Sequence, residues 1–250
     1  MASTDSRTQG DTRTAVLREL AAATLWLMVL VGGVAAVFVA WDVGSSSRFL
    51  LGVSSGFAAV AAITGWCITR FESVSITVPT ALTLARGAAL AVFAGFLSTG
   101  VPTGSLGWLP AILFGFAAGG DAVDGALARA TDSVSDLGAR LDTEMDGLTV
   151  LFGTAVVVWS GLVPAVFLVV GVARYAFVFG IWRRERHGLS VYDLPPSQLR
   201  RLLGGSAMVT IWIALLPVVP TAVSRPLAIA VAVPFIGNFT RDWFAVSGRR

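Results

Sequence analysis

The sequence predicts an all-α protein, a polytopic bundle of membrane-spanning helices. Of its 250 residues, 55% are hydrophobic and only 13% are charged, whereas a soluble domain carries about 25% charged residues. The apolar residues form stretches of about 20 residues, which is the length of a helix that crosses a bilayer. The single histidine and single cysteine exclude a disulfide framework, a cysteine-based metal site and chemistry that needs several histidines.

Eight apolar stretches are the predicted spans, and most of their connections are short. The first stretch is too long for the core of a signal peptide and follows a segment of mixed charge, so it is interpreted as a span. The longest connection, 183–201, is basic and contains Pro195 and Pro196. In chain order, the predicted spans are Leu20–Trp41, Phe49–Thr69, Ala81–Leu97, Leu106–Gly120, Asp142–Trp159, Leu162–Trp182, Leu202–Pro217 and Pro226–Phe239.

The arginines predict the orientation of these spans. All 18 basic residues are arginine, and with a cytoplasmic N-terminus 14 of them fall in cytoplasmic segments, 2 in outer loops and 2 within spans. An excess of arginine in cytoplasmic loops is typical of membrane proteins. We therefore expect a multi-pass protein of the cell membrane with both termini on the cytoplasmic side. Its basic surface would face the lipid headgroups, and no nucleic-acid partner is expected.

The acidic residues are concentrated in one place. Seven of the 15 lie between positions 121 and 146, where two predicted helices meet the inner membrane surface. Asp121 and Asp124 are three residues apart, which places them on one face of a helix. Asp142 and Asp146 are four apart on the next helix, with the same consequence. Four carboxylates brought together repel one another unless a cation lies between them, and oxygen ligands suit Mg²⁺ or Mn²⁺.

Clustered acids have other interpretations. Asp132, Asp136 and Glu144 lie in the turn or off the shared face, so they are interpreted as solvated or helix-capping residues. A cation-coupled transporter could use clustered acids as an ion site, but such sites lie at broken helices near the midplane, whereas these lie at the inner edge. An intramembrane prenyltransferase typically has a second, distant aspartate cluster, which this sequence lacks.

The segment 121–146 has the pattern D-x2-D-G-x2-A-R-x8-G-x3-D-x3-D. This resembles the signature of the CDP-alcohol phosphotransferase family, and all eight specified positions match with the right gaps. The resemblance covers roughly residues 75–243, since the six spans from Ala81 onward fit the six-helix core of that family. It implies a phospholipid-synthesising transferase that moves a phosphatidyl-type group from a CDP-activated lipid to an alcohol and releases CMP.

The resemblance also assigns roles by position. It implies a site for two Mg²⁺ or Mn²⁺ ions, which are held by Asp121, Asp124, Asp142 and Asp146. Asp146 would also be the catalytic base that accepts the proton of the incoming alcohol. The implied donor is a CDP-lipid, either CDP-diacylglycerol or CDP-archaeol, and the family is usually homodimeric.

The expected nucleotide-binding residues are small or positively charged: Gly125, Ala128, Arg129, Gly138, Thr83 and Arg86. Small residues allow the nucleotide to approach the helices, although helix packing alone is an alternative. The stretch from Pro79 to Arg86 resembles the family's Pro-Asn-x-Leu-Thr-x-x-Arg, with Thr80 in place of asparagine. Because Arg86 lies one turn into a span, it needs an anion or an acid as partner. A structural salt bridge is therefore the alternative to a nucleotide contact.

The acceptor is the least defined part of the prediction. Arg174, Arg200 and Arg201 lie roughly where glycerophosphate-using members of the family carry basic residues, which favours a phosphorylated polyol such as glycerol phosphate or inositol phosphate. Serine or a free alcohol is the alternative.

The expected domains are a polar cytoplasmic N-terminus (1–19), two extra membrane helices without chemistry of their own (20–74), the transferase domain (75–243) and a tail (244–250). Arg183, Arg184 and Arg186 are interpreted as cytoplasmic anchors, and His187 as a surface residue.

Overall fold

The structure is a computed structural model that describes residues 18, 21–33, 35–36, 46–69, 78–130 and 136–248, without the side chains of residues 46, 78, 79, 105, 120–130 and 136. These described residues form helices and connections and contain no strand. The all-α prediction is therefore confirmed. The helices are α1 (Ala21–Gly33), α2 (Ser46–Ile68), α3 (Val78–Phe93), α4 (Phe96–Thr99), α5 (Trp108–Ala130), α6 (Asp136–Trp159), α7 (Leu168–Arg186), α8 (Gln198–Leu215) and α9 (Thr221–Ser247).

Several of these helices have the length and apolar composition of membrane spans. Among the described residues, four helical segments meet both criteria: Ser47–Ile68, Thr80–Thr99, Ala165–Arg186 and Thr221–Ser247. Shorter apolar helices cover Ala21–Gly33 and Trp108–Gly119. The chain is thus a multi-pass membrane protein, while the count of eight spans stays a prediction. The second half of the predicted span Leu20–Trp41 lies largely outside the described residues.

Several helix boundaries differ from the predicted spans, and two of these differences involve proline. The sequence placed the start of the sixth span at Leu162, but α7 begins at Leu168. Gly161 has a φ of 71° and Pro164 is extended, so the chain turns before the helix can start. By contrast, α9 starts before the predicted Pro226 and continues through Pro226 and Pro234, because prolines are tolerated inside membrane-spanning helices.

The chain divides into two compact units, one comprising Met1–Pro102 with Ile112–Thr149 and the other Thr103–Ala111 with Val150–Arg250. In the first unit, α2 packs closely against the end of α3. Gly52 and Gly56 leave space for this approach, since a Cβ atom added at Gly56 would lie 2.6 Å from the Cβ of Ala94. This Gly-x-x-x-Gly spacing is typical of close helix pairs in membranes. The contact is extended by the aromatic rings of Phe49, Phe93, Phe96 and Phe114.

In the second unit, α9 packs against both α8 and α7. The ring of Phe177 lies 5.8 Å from the rings of both Phe239 and Trp243. Beside this cluster, Gly180 lacks the Cβ atom that would collide with Trp243. At the other end of α9, the hydroxyl of Ser224 donates to the carbonyl of Leu162 at 2.7 Å. These contacts fix the ends of α7 and α9 beside each other.

Candidate active site

Two helices carry the four aspartates of the predicted metal site. Asp121 and Asp124 lie in α5, three residues apart, and Asp142 and Asp146 lie in α6, four residues apart. Both pairs are therefore on helices, as the spacing argument requires. The structure does not describe the side chains of Asp121 and Asp124, whereas those of Asp142 and Asp146 are described.

A buried arginine joins the two described aspartates. Arg86 of α3 donates from Nη1 to Oδ1 of Asp142 at 2.5 Å and from Nη2 to Oδ1 of Asp146 at 2.7 Å. Its Nε donates to the carbonyl oxygen of Ala117 on α5 at 2.8 Å. All three contacts come from one rigid planar guanidinium, which binds carboxylates in a fixed geometry. One side chain thus joins α3, α5 and α6. Its contact on α5, the carbonyl of Ala117, lies one helical turn before Asp121.

The burial of these three side chains is unequal. Arg86 is 1% exposed, whereas Asp142 and Asp146 are 25% and 30% exposed. One guanidinium thus contacts two carboxylates that are both partly exposed. The guanidinium reduces the repulsion between the carboxylates and holds them towards the same point.

The donors of this cluster fit a divalent metal ion. Two carboxylates one helical turn apart, on a shared partner, supply the hard oxygen ligands that Mg²⁺ and Mn²⁺ prefer. Among the side chains that the structure describes, histidine, cysteine, aspartate and glutamate form no group of three or more that could hold a metal ion. The predicted site has four carboxylates. The side chains of two of them, Asp121 and Asp124, are not among those that the structure describes.

The other predicted nucleotide-binding residues lie on the same helices. Thr83 is buried one turn before Arg86 on α3, and Gly138 is half-buried in the first turn of α6. Gly125, Ala128 and Arg129 lie on α5 beyond Asp124, where no side chain is described. The sequence identified Arg86 but left its partner open between a nucleotide and an acid. The structure shows the acid contacts, and a nucleotide contact stays a prediction.

One expectation about this segment was wrong. Glu144 was interpreted as a solvated residue, but it is buried, with 9% exposure. Its carboxylate pairs with Arg140 at 3.1 Å, and the guanidinium of Arg140 lies 5.3 Å from the ring of Trp66 on α2. Because Glu144 lies between the two aspartates on α6 but points elsewhere, it stabilises the packing of α6. The role of the Ala117 carbonyl was also missed, since a backbone acceptor leaves no signal in the sequence.

The three arginines predicted to bind the acceptor lie in the second unit. Arg174 is half-buried on α7, and Arg201 is exposed on α8. Arg200 donates to the carbonyl of Pro195 and pairs with Asp242 at 3.7 Å. Asp242 in turn accepts a hydrogen bond from Asn238 at 3.0 Å. A predicted acceptor residue is therefore also part of a structural contact between α8 and α9.

The fold and the site define a multi-pass helical membrane protein with a cluster of carboxylates around a buried arginine. The sequence model of one family, CDP-alcohol phosphatidyltransferase, matches residues 76–237. That is more than half of the chain and includes the complete aspartate motif, so the chain belongs to the CDP-alcohol phosphatidyltransferase family. No protein of established function and no solved structure matches the chain significantly. Members of the family transfer phosphatidyl groups from a CDP-alcohol to an alcohol and generally depend on divalent metal ions.

Proposed function

We propose that this protein synthesises a phospholipid by transferring the phosphatidyl group of a CDP-lipid to a phosphorylated polyol. The observation that carries the proposal is the cluster of Arg86, Asp142 and Asp146. It places two of the four motif aspartates of the family on one partner, and the side chains of Asp142 and Asp146 are 25% and 30% exposed.

The chain's own residues would act mainly by positioning. Asp121, Asp124, Asp142 and Asp146 would hold the divalent ions, which when bound neutralise charge on the pyrophosphate and on the leaving CMP. Arg86 would keep Asp142 and Asp146 in the required orientation. We assign it a positioning role because it donates hydrogen bonds to both carboxylates and, on the other side, to one backbone carbonyl.

Asp146 is the proposed base for the transfer. The oxygen of the acceptor hydroxyl forms a bond to the β-phosphorus of the CDP-lipid, the bond from that phosphorus to the CMP phosphate breaks, and the hydroxyl proton passes to Asp146. A carboxylate has two oxygens, so Asp146 can keep its bond to Arg86 through Oδ1 and accept a proton on the other. Holding the reactants in line and compensating charge supply most of the rate in such reactions.

The proposed acceptor class depends on the arginines of the second unit. Arg174, Arg200 and Arg201 are cations on two helices of that unit, and guanidinium groups bind phosphate well. A phosphorylated polyol would use this charge, whereas serine or a free alcohol would need less of it. We also propose, from the distribution of the arginines along the sequence, that the reaction takes place on the cytoplasmic side of the cell membrane.

The test is CMP release by the purified full-length protein with Mg²⁺ and a CDP-lipid. The acceptor panel should contain glycerol phosphate, inositol phosphate, serine and free polyols, and the donor should be supplied as both CDP-diacylglycerol and CDP-archaeol. We expect release with a phosphorylated acceptor and at least a 100-fold loss on Asp142→Asn, since a ligand and the orientation by Arg86 are lost together. The matched control is Asp193→Asn, the same chemical change at an exposed loop residue.

Three other outcomes would redirect the proposal. Release with serine or a free polyol alone would keep the transferase but replace the acceptor class. Release that survives Asp142→Asn would contradict the assigned site. No release with any acceptor, together with no thermal stabilisation by CMP and Mg²⁺, would favour a cation-coupled transporter, because a transporter has no use for the nucleotide.

A further inference from the structure

The second unit contains an open pocket that the proposed transfer reaction does not use. It has a volume of about 570 Å³ and lies where the end of α7 meets α9 and the connection that follows α7. Phe179, Leu189 and Trp243 supply apolar walls. On one side of it, Trp243 packs closely against Gly180. The pocket therefore combines a built apolar part with the charged end of a membrane-spanning helix.

The charged groups of the pocket are all basic. Its described lining includes Arg183, Arg184 and His187 and no carboxylate. Within the described part of the chain, neither arginine forms an ion pair with an acid. Two guanidinium groups next to each other repel, and part of this cost is offset by the negative end of the α7 dipole. The remaining positive charge favours the binding of an anion.

Arg184 is held by hydrogen bonds to two backbone carbonyls, and one of its N–H donors has no partner within the described residues. Its Nη2 donates to the carbonyls of Ser190 at 2.9 Å and Ser247 at 3.1 Å. These bonds attach the connection after α7 to the end of α9, and the backbone bond from Tyr192 to Val246 supports them. The Nε of Arg184 is buried and has no hydrogen-bond partner within the described residues. Buried donors without a partner are rare and costly, which indicates a ligand that accepts this hydrogen bond.

The position of the pocket indicates where the ligand comes from. The helical segment Ala165–Arg186 is long and apolar enough to cross a membrane, and we therefore expect its last turn at the membrane surface. Trp182 is exposed there, with the guanidinium of Arg186 stacked 4.6 Å from its ring. Tryptophan and arginine at this depth are typical of the headgroup region. Basic pockets between membrane helices at this level bind the headgroups of anionic lipids.

We propose that this pocket binds the phosphate group of an anionic membrane phospholipid through Arg183 and Arg184, with the lipid lying against Phe179 and Trp243. The pocket shares no lining residue with the aspartate cluster and does not depend on the proposed reaction. Bound lipid would supply the acceptor that Arg184 Nε lacks and would hold the ends of α7 and α9 together.

The test measures lipid binding by the purified full-length protein. Native mass spectrometry would count the retained lipid, and thermal unfolding in neutral detergent would measure stabilisation, with phosphatidylglycerol compared with phosphatidylcholine. We expect preferential retention of phosphatidylglycerol and about tenfold weaker binding in Arg183→Gln and in Arg184→Gln, which each remove one charged hydrogen-bond donor. Arg183→Gln is the stricter test, because the side chain of Arg183 makes no hydrogen bond within the described residues and its loss leaves the connection after α7 attached.

Arg186→Gln is the matched control. It removes the same charge from the same helical turn, but its side chain lies over Trp182 and not in the pocket. An equal loss of phosphatidylglycerol binding in Arg186→Gln would overturn the proposal in favour of diffuse attraction to anionic lipid. Full displacement by millimolar inorganic phosphate would show an ion site, and displacement by CMP with Mg²⁺ would assign the pocket to the nucleotide. Either result would also overturn it.

Discussion

Two arginines of this protein pair with aspartate in different ways. In the first unit, Arg86 is 1% exposed and lies 2.5 Å and 2.7 Å from two carboxylates. In the second unit, Arg200 is 32% exposed and lies 3.7 Å from the single carboxylate of Asp242. The first arrangement removes a charge from water and must compensate it fully, whereas the second leaves both groups partly solvated.

In this chain, the role of an arginine therefore depends on how deeply its guanidinium is buried. A fully buried guanidinium determines the positions of the acids around it, because none of its hydrogen bonds can be replaced by water. A partly exposed guanidinium contributes little to folding and can exchange its partner for a ligand. We therefore expect the Arg86 cluster to be sensitive to any substitution and the Arg200 contact to be tolerant.

Replacement of Arg86 should have the largest effect. Arg86→Met removes the buried guanidinium that Asp142 and Asp146 share. Loss of one partner of a buried ion pair costs about 3–5 kcal/mol, so the temperature of unfolding in detergent should fall markedly and CMP release should disappear. Arg86→Lys keeps the charge but not the planar guanidinium. Its unfolding temperature and CMP release should therefore lie between those of Arg86→Met and the wild type.

The control for this substitution is Arg48→Met, which removes an exposed arginine from the first turn of α2. It should change the temperature of unfolding very little. If Arg86→Met were as stable as Arg48→Met, the buried cluster would not be the structural centre of the first unit, and the comparison with Arg200 would lose its basis.

The next largest effect should come from the two aspartates themselves. Asp146→Asn and Asp142→Asn each remove one carboxylate from Arg86, so their effects on folding should be similar. Removal of the proposed base should lower kcat by about 10²–10⁴-fold, and Asp146→Glu, which keeps a carboxylate, should recover part of the rate. Steady-state CMP release with a saturating acceptor is the measurement. Equal kcat in Asp146→Asn and Asp146→Glu would contradict the assignment of Asp146 as base.

Much of this structure could be predicted from local features of the sequence. The length of the apolar stretches predicts helices, and the spacing of three and four residues predicts the shared faces of Asp121 with Asp124 and of Asp142 with Asp146. The partners of Arg86 lie 56 and 60 residues away along the chain, so the sequence could only state that it needs an anion or an acid.

Other features depend on packing that no local pattern contains. The burial of Glu144 follows from Arg140 and from Trp66 on another helix, and periodicity along α6 does not report such neighbours. The pocket beside Arg184 requires the connection after α7 to return to the end of α9. The sequence identified these arginines only as anchors because their number and position satisfy the rule for cytoplasmic loops.

A pair of glycine substitutions extends the comparison of the two units to packing. A Cβ atom at Gly56 would lie 2.8 Å from the backbone carbonyl oxygen of Ala91, which cannot move without the helix. Gly56→Ala should therefore destabilise the protein by about 1–3 kcal/mol. At Gly180 the obstacle is the ring of Trp243, a half-exposed side chain that can rotate, so Gly180→Ala should cost less. Thermal unfolding of both variants is the measurement, and a larger loss at Gly180 would contradict this order.

The smallest effect should come from the acid that pairs with Arg200. Asp242→Asn keeps the shape of the side chain and removes the charge, and a partly exposed pair contributes at most about 1 kcal/mol. Unfolding should change little, whereas the affinity for a phosphorylated acceptor should rise if Arg200 takes part in binding it, because the guanidinium no longer competes for Asp242. A lower KM for glycerol phosphate or inositol phosphate with unchanged kcat would support that role. A large loss of stability would instead show that Asp242 compensates a charge as essential as Arg86, and the contrast between the two arginines would fail.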